Sequence, residues 1–211
     1  GVKCRFAGPG VGRLRHGVIN FNMTRVPYNQ TDAADWTRAE HEARNDIQDA
    51  MYILKTFMPE FKNSYLLYSG PQIGCRESRR LLGEYVLTIQ DLYDRKRFAD
   101  CIGIGANPID FHNPTKYGGA EACEVKKIYV YQIPYRTLLP KKVDNLLVAG
   151  RCHSADQMAA SSTRVALTAS VMGEAAGTAA ALALRGNTEP VHVNIDELVS
   201  TLSAAGAILD Y

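Results

Sequence analysis

Between residues 35 and 58 the apolar positions advance by threes and fours: Trp36, Ala39, Ala43, Ile47, Ala50, Met51, Leu54 and Phe57. That period predicts one long amphipathic helix, with Asp35 as its N-cap and Pro59 as its stop. Ahead of it, the stretch GVINFNM reads as a strand, preceded by a loop containing Gly8, Pro9, Gly10 and Gly12. Behind it, SYLLYSG (64–70) and EYVLT (84–88) have strand character, and IQDLYDRKRFADCIG (89–103) reads as a helix. The Gly-, Pro- and Asn-rich run 103–122 predicts an ordered loop, and 126–140 a hairpin or strand pair. VDNLLVAG (143–150) is a continuous apolar run of the kind found in buried parallel strands, and 194–209 is a last helix. A domain boundary falls near Pro140, which divides the chain into 1–140 and 141–211.

The stretch VMGEAAGTAAALAL (171–184) stands apart, because its helix, 167–184, carries almost no side chain. Three readings compete. A membrane helix has the right length, but Glu174 at mid-span would cost about 2.5–3.5 kcal/mol. A plain core helix explains the alanines but not two interior glycines, each costing ~1 kcal/mol against Ala. In the third reading Gly173, Ala176, Gly177 and Ala180 form one face that something approaches closely, such as a sheet and a bound cofactor. The preceding residues favour the third, since a buried strand ending at Gly150 would put Arg151 and Ser154 where ligands sit in open α/β sheets.

Composition narrows the classes. The 211 residues carry a formal net charge of +2 with no basic tract, so no nucleic-acid partner is implied. The five cysteines are widely spaced and contain no CxxC pair. That argues against a metal site or disulfide framework and favours a reducing, cytoplasmic compartment. The first residues lack both an initiator Met and a signal-peptide core, so the chain is expected to be one piece of a larger assembly.

The segment NLLVAGRCHSADQMAASSTRVALTASVMGEAAGTAAALAL resembles the C-terminal FAD-binding segment of FAD-dependent oxidoreductases of the glutathione-reductase-like superfamily. The group related to fumarate reductase flavoproteins is the most similar. GCRESRRLLGEYVLT, IDFHNP and QIPYRTLLPKKVDNLLVAGR look like the same group, in the right order, over residues 60 to 185. One departure is Leu167, where that group usually has Pro. The resemblance implies a mixed α/β fold: the C-terminal part of a FAD-binding Rossmann-like domain (141–211) after a substrate or cap region (1–140). It also implies that the Gly-x-Gly-x-x-Gly loop, absent from this sequence, resides on an N-terminal half or partner subunit.

The same resemblance assigns Gly150, Arg151, Ser154 and the helix start Arg164, Val165, Ala166, Leu167 and Thr168 to FAD. The arginine fork suits a diphosphate and a helix N-terminus suits the electron-rich edge of reduced flavin. Candidates on the substrate side are Arg76 and Arg79, as an anion clamp, and His112 and His153, as acid or base for a small-molecule substrate. Each has a blander alternative, an ion-pair network for the arginines and a structural role for the histidines. The function expected is hydride transfer between a small molecule and FAD. A non-catalytic assembly subunit and a membrane-associated helical protein remain open.

Overall fold

The computed structural model describes residues 10–111 and 127–211. They fall into two compact units, 10–75 and 76–111 with 127–211. Each is mixed α/β.

In the first unit, β1 (Gly10–Arg15) and β2 (Val18–Asn22) form an antiparallel hairpin that pairs Gly10 with Asn22 and Arg13 with Ile19. The reversal uses Gly17 at φ +75, backbone that a side chain disfavours. The loop expected around Gly10 and Gly12 is therefore a strand. Helix α1 (Ala33–Phe57) follows, and it buries Ala39, Ala43, Ala50 and Leu54 as the apolar period requires. Its N-cap is Asp32, not Asp35: Asp32 Oδ1 accepts from Ala34 N–H at 2.9 Å. Asp35 lies in the first turn, where its carboxylate accepts from Asn29 N–H at 2.6 Å and faces Arg38. Pro59 ends the helix as expected, opening a 3₁₀ turn, Pro59–Phe61.

The segment 64–70 is extended but is not a strand. Side chains of α1 take the backbone groups at its end that a neighbouring strand would have used. Arg44 donates to Ser69 Oγ (3.0 Å) and to the carbonyl of Pro71 (3.0 Å), and Glu40 accepts from Ile73 N–H (2.6 Å).

The second unit is built on α4 (Ala166–Arg185). Met172, Ala175, Ala179, Leu182 and Ala183 are buried in a core shared with Leu198 and Leu202 of α5 (Ile195–Ala204). β3 (Cys101–Gly105) pairs antiparallel with β4 (Tyr131–Pro134), so 126–140 supplies one strand of a pair and not both. The expected helix 89–103 stops early. α2 covers only Ile89–Tyr93, held by a reciprocal cap between Thr88 and Asp91, and Arg95 at φ +50 then turns the chain into β3. A short helix that periodicity did not announce, α3 (Gln157–Thr163), precedes α4.

Two expected strands are absent as such. EYVLT makes only an isolated bridge at Leu87 to Ala155, beside a second at Gly83 to Pro140. NLLVAG opens in a turn, with Asn145 at φ +52, and is exposed or half-buried throughout, with Val148 N–H bonded to Leu138 O at 2.9 Å. Those bonds also explain why the units do not divide near Pro140. Lys141 N–H reaches Leu82 O, which binds residues on both sides of Pro140 into one unit. The contacts instead separate the chain after Cys75.

The close approach read from α4 exists, but elsewhere. A Cβ on Gly103 would lie 2.1 Å from Val171 Cγ1, and one on Gly105 would lie 2.5 Å from the Tyr131 ring. A Cβ on Gly173 or Gly177 would meet nothing within 4 Å. The glycine crowded by α4 is Gly103 of β3, and those of α4 itself face outward. Gly103→Ala is therefore expected to destabilise by roughly 1–3 kcal/mol, since Val171 must move. Gly177→Ala should be neutral or gain up to ~1 kcal/mol of helix propensity. Thermal melts of the two variants check this; equal melting temperatures would contradict the assignment of the crowded face.

Candidate functional site

The residues singled out by sequence gather around one turn and one helix start. Gly150, at φ +86, reverses the chain, and its carbonyl accepts from His153 N–H at 3.1 Å. A Cβ there would lie 3.8 Å from Ala169 Cβ, so this turn rests beside the first turn of α4. Arg151 is exposed on it. The next residues are fixed by backbone bonds: Cys152 O accepts from Leu81 N–H, Ser154 N–H donates to Thr137 O, and Ser154 O accepts from Leu87 N–H.

Ser154 does not face outward. It is fully buried, and its Oγ accepts from Gly83 N–H at 3.1 Å. The hydroxyl expected to touch a cofactor is used inside the protein. His153 is also fully buried. Its Nε2 lies 2.8 Å from Thr163 Oγ1, and its Nδ1 is buried with no hydrogen-bond partner among the described residues. Burial, helped by the charge of Arg80, pushes its pKa down to about 4. A neutral, inaccessible imidazole is no acid or base for a substrate arriving from solvent, which corrects that expectation.

At the corner between α3 and α4, Arg164 is nearly buried and donates to Asp110 O (2.6 Å) and Asp110 Oδ2 (3.1 Å). Arg76 Nη1 donates to the same Oδ2 at 2.5 Å. The structure thus joins two of the expected arginines through a carboxylate that sequence reasoning missed. Arg79 is exposed and its side chain is outside this group, while Arg80 pairs with Glu77. His112 lies outside the described residues.

Val165, in extended conformation, is the N-cap of α4 and provides no side-chain cap. The first helical bond is Ala169 N–H to Val165 O, so the N–H groups of Ala166, Leu167 and Thr168 have no acceptor within the helix. Ala166 and Leu167 are exposed, whereas the Thr168 side chain is buried. This helix end can receive an anion or an electron-rich ring edge.

Behind the corner, Tyr131 Oη and Ser162 Oγ are 2.6 Å apart, and Ser162 Oγ donates to Asn107 O at 2.5 Å. Burial raises the Tyr131 pKa to about 12, with the Ser162 bond pulling the other way. Tyr131 is a structural strut. So are Tyr135, bonded to Pro190 O, and Arg136, which forks onto Asp100. None of these partners had a signal in the sequence, since each pair is remote along the chain.

A lowered histidine pKa has a defined sign. The unfolded chain binds a proton below pH 6.5 and the folded one only below about 4. Stability contributed by neutral His153 is complete above pH 6.5 and is lost as pH falls toward 4, by up to about 3 kcal/mol. Denaturation midpoints of wild type and His153→Gln, measured from pH 7 to 4, should converge as pH falls; parallel curves would contradict the neutral buried imidazole.

A family model described as FAD dependent oxidoreductase matches residues 6–202. No curated protein and no solved structure matches the chain.

Proposed function

The chain belongs to the FAD-dependent oxidoreductase family, whose cofactor is FAD, and from this we propose that it forms the flavin-side and substrate-side wall of a hydride-transferring enzyme. The observation that carries the reading is the start of α4, without a side-chain cap, lying against the Gly150–Arg151 turn. When bound, FAD supplies a centre that exchanges two electrons and a proton with an organic substrate.

The chain's own residues then have distinct tasks. The N–H groups of Ala166, Leu167 and Thr168, with the positive end of the α4 dipole, stabilise negative charge on a ring edge set against them. Arg151 offers a guanidinium fork to a phosphate or a ribityl hydroxyl. Gly150 lets the backbone turn beside α4 with no side chain in the way. Arg76 and Arg164, held through Asp110, form the wall that meets a small anionic substrate. Ser154 takes no direct part, because its hydroxyl is committed to Gly83.

The enzyme is complete only with a second polypeptide or segment carrying the dinucleotide-binding loop. Three features support this. The glycines at 10 and 12 lie in a hairpin strand and not at a strand-to-helix turn, so they do not form a phosphate loop. NLLVAG, apolar and half-exposed, belongs to no sheet among the described residues. The outward face of α4 runs through Leu167, Ser170, Gly173, Gly177, Ala181 and Leu184, small or apolar and exposed. By length and composition α4 could also cross a membrane. Its burial against β3 and α5 on the other side favours a protein partner over lipid.

The test is an absorbance spectrum of the isolated chain and of everything that co-purifies with it. The expected outcome is little flavin on the chain alone and stoichiometric FAD in the assembled protein. Arg151→Ala should weaken FAD retention there by roughly tenfold or more, as loss of a charge-assisted hydrogen bond does. Tight FAD on the chain alone would remove the need for a second half. A colourless assembly would leave the alternative, a flavin-free assembly subunit.

A further inference from the structure

His153 is the fully buried titratable group that the proposed function leaves unused. On its N-terminal side is the Gly150–Arg151 turn, to which it is bonded through its own N–H. On the far side of its ring is Thr163, the last residue of α3 and only three positions before Ala166, where α4 begins. Thr163 is itself fully buried, so its hydroxyl has no access to bulk water. The two walls assigned to FAD, the Arg151 turn and the α4 start, are thus joined by one side-chain bond, His153 Nε2 to Thr163 Oγ1, 2.8 Å long.

The environment shows that this bond is retained despite a cost. His153 Nδ1 is buried with no partner among the described residues, and stranding such an atom is unfavourable. A leucine would avoid that cost if the site needed only volume. What leucine cannot do is reach Thr163 with a polar atom. The neighbouring backbone is fixed from the other direction, through Cys152, Ser154 and Asp156 to Leu81, Thr137 and Leu87. Without the histidine bond, the 150–154 segment stays anchored there, while the α3–α4 corner keeps its own anchors, Ser162 to Asn107 and Arg164 to Asp110, and loses the side-chain bond that ties the two to each other.

We propose that His153 is a positioning residue for FAD: through Thr163 it holds the α4 N-terminus in register with Arg151, and it does not itself touch cofactor or substrate. The proposal rests on the reading that these two walls bind FAD. It replaces the acid–base role with a geometric one.

Chemistry dictates the variants. A glutamine amide extends about as far as Nε2 and can keep the bond to Thr163. An asparagine amide ends near the position of Nδ1 and cannot. Thr163→Val removes the hydroxyl while keeping the shape. In the assembled, FAD-loaded protein, His153→Asn and Thr163→Val should each raise the FAD dissociation constant roughly three- to tenfold. Their effects should not add in the double variant, and His153→Gln should restore near-wild-type retention. The flavin absorption bands should shift in the two weakened variants and return with glutamine, a change that mere loss of core packing would not produce.

If His153→Asn lowers the melting temperature while FAD affinity and the flavin bands stay at wild-type values, the residue is structural and the proposal fails. Additive losses, or a glutamine variant as poor as asparagine, also overturn it. Wild-type protein that holds no flavin overturns the underlying reading as well, which distinguishes the two failures.

Discussion

The hydrogen bonds of Ser154 hold the candidate site together. One residue ties its own segment to two others: its N–H reaches Thr137 O, while its carbonyl and hydroxyl receive the N–H groups of Leu87 and Gly83 in the 83–87 stretch. All of this is buried, where an unmade bond costs more than a made one contributes. Gly83 has to be glycine here, because a Cβ would lie 2.7 Å from Ser154 Cβ. From this junction the chain runs back to Arg151 and forward through Asp156, whose carboxylate caps both α3 and Ile89. The Gly150–Arg151 turn is displayed from a backbone fixed at that point.

The sequence made the long helices legible, but not the short α2 and α3 or most of the strands, for physical reasons. A helix satisfies its backbone within itself, so the period of Ala39, Ala43, Ala50 and Leu54 is enough to announce α1. A strand needs a neighbour, and no local pattern says whether one is there. SYLLYSG has the composition of a strand, but Arg44 and Glu40 of α1 reach over to the backbone just beyond it. NLLVAG reads as a buried parallel strand, yet Leu146 is exposed and the segment joins no sheet among the described residues. The β3–β4 pair was half visible, because IYVYQIPY has strand composition while its partner, Cys101–Gly105, looked like the end of a helix.

The site was legible to a similar degree. Resemblance located the Gly150–Arg151 turn and the α4 start, and the structure sets the two side by side. Roles were harder. Nothing local distinguishes an outward serine from Ser154, or a catalytic histidine from His153, because burial is decided by segments far along the chain. Asp110 was missed for the same reason: it matters only because Arg76 and Arg164 converge on one of its oxygens. Charged residues meeting from three segments leave no spacing to read.

The small residues of α4 turn out to serve two faces differently. On one face, alanines at 175 and 179 are fully buried, and the helix comes close enough to β3 that Gly103 could carry no side chain against Val171. There, thinness is used. On the other face, Gly173 and Gly177 have open space above them, and each still carries the ~1 kcal/mol helix-propensity cost of glycine. A helix surface selected only for solvent would favour alanine, lysine or glutamate at those positions. Of the exposed stripe, only Glu174 is charged between Leu167 and Leu184. Such a face is poorly suited to water and well suited to a flat surface at backbone distance, such as a sheet.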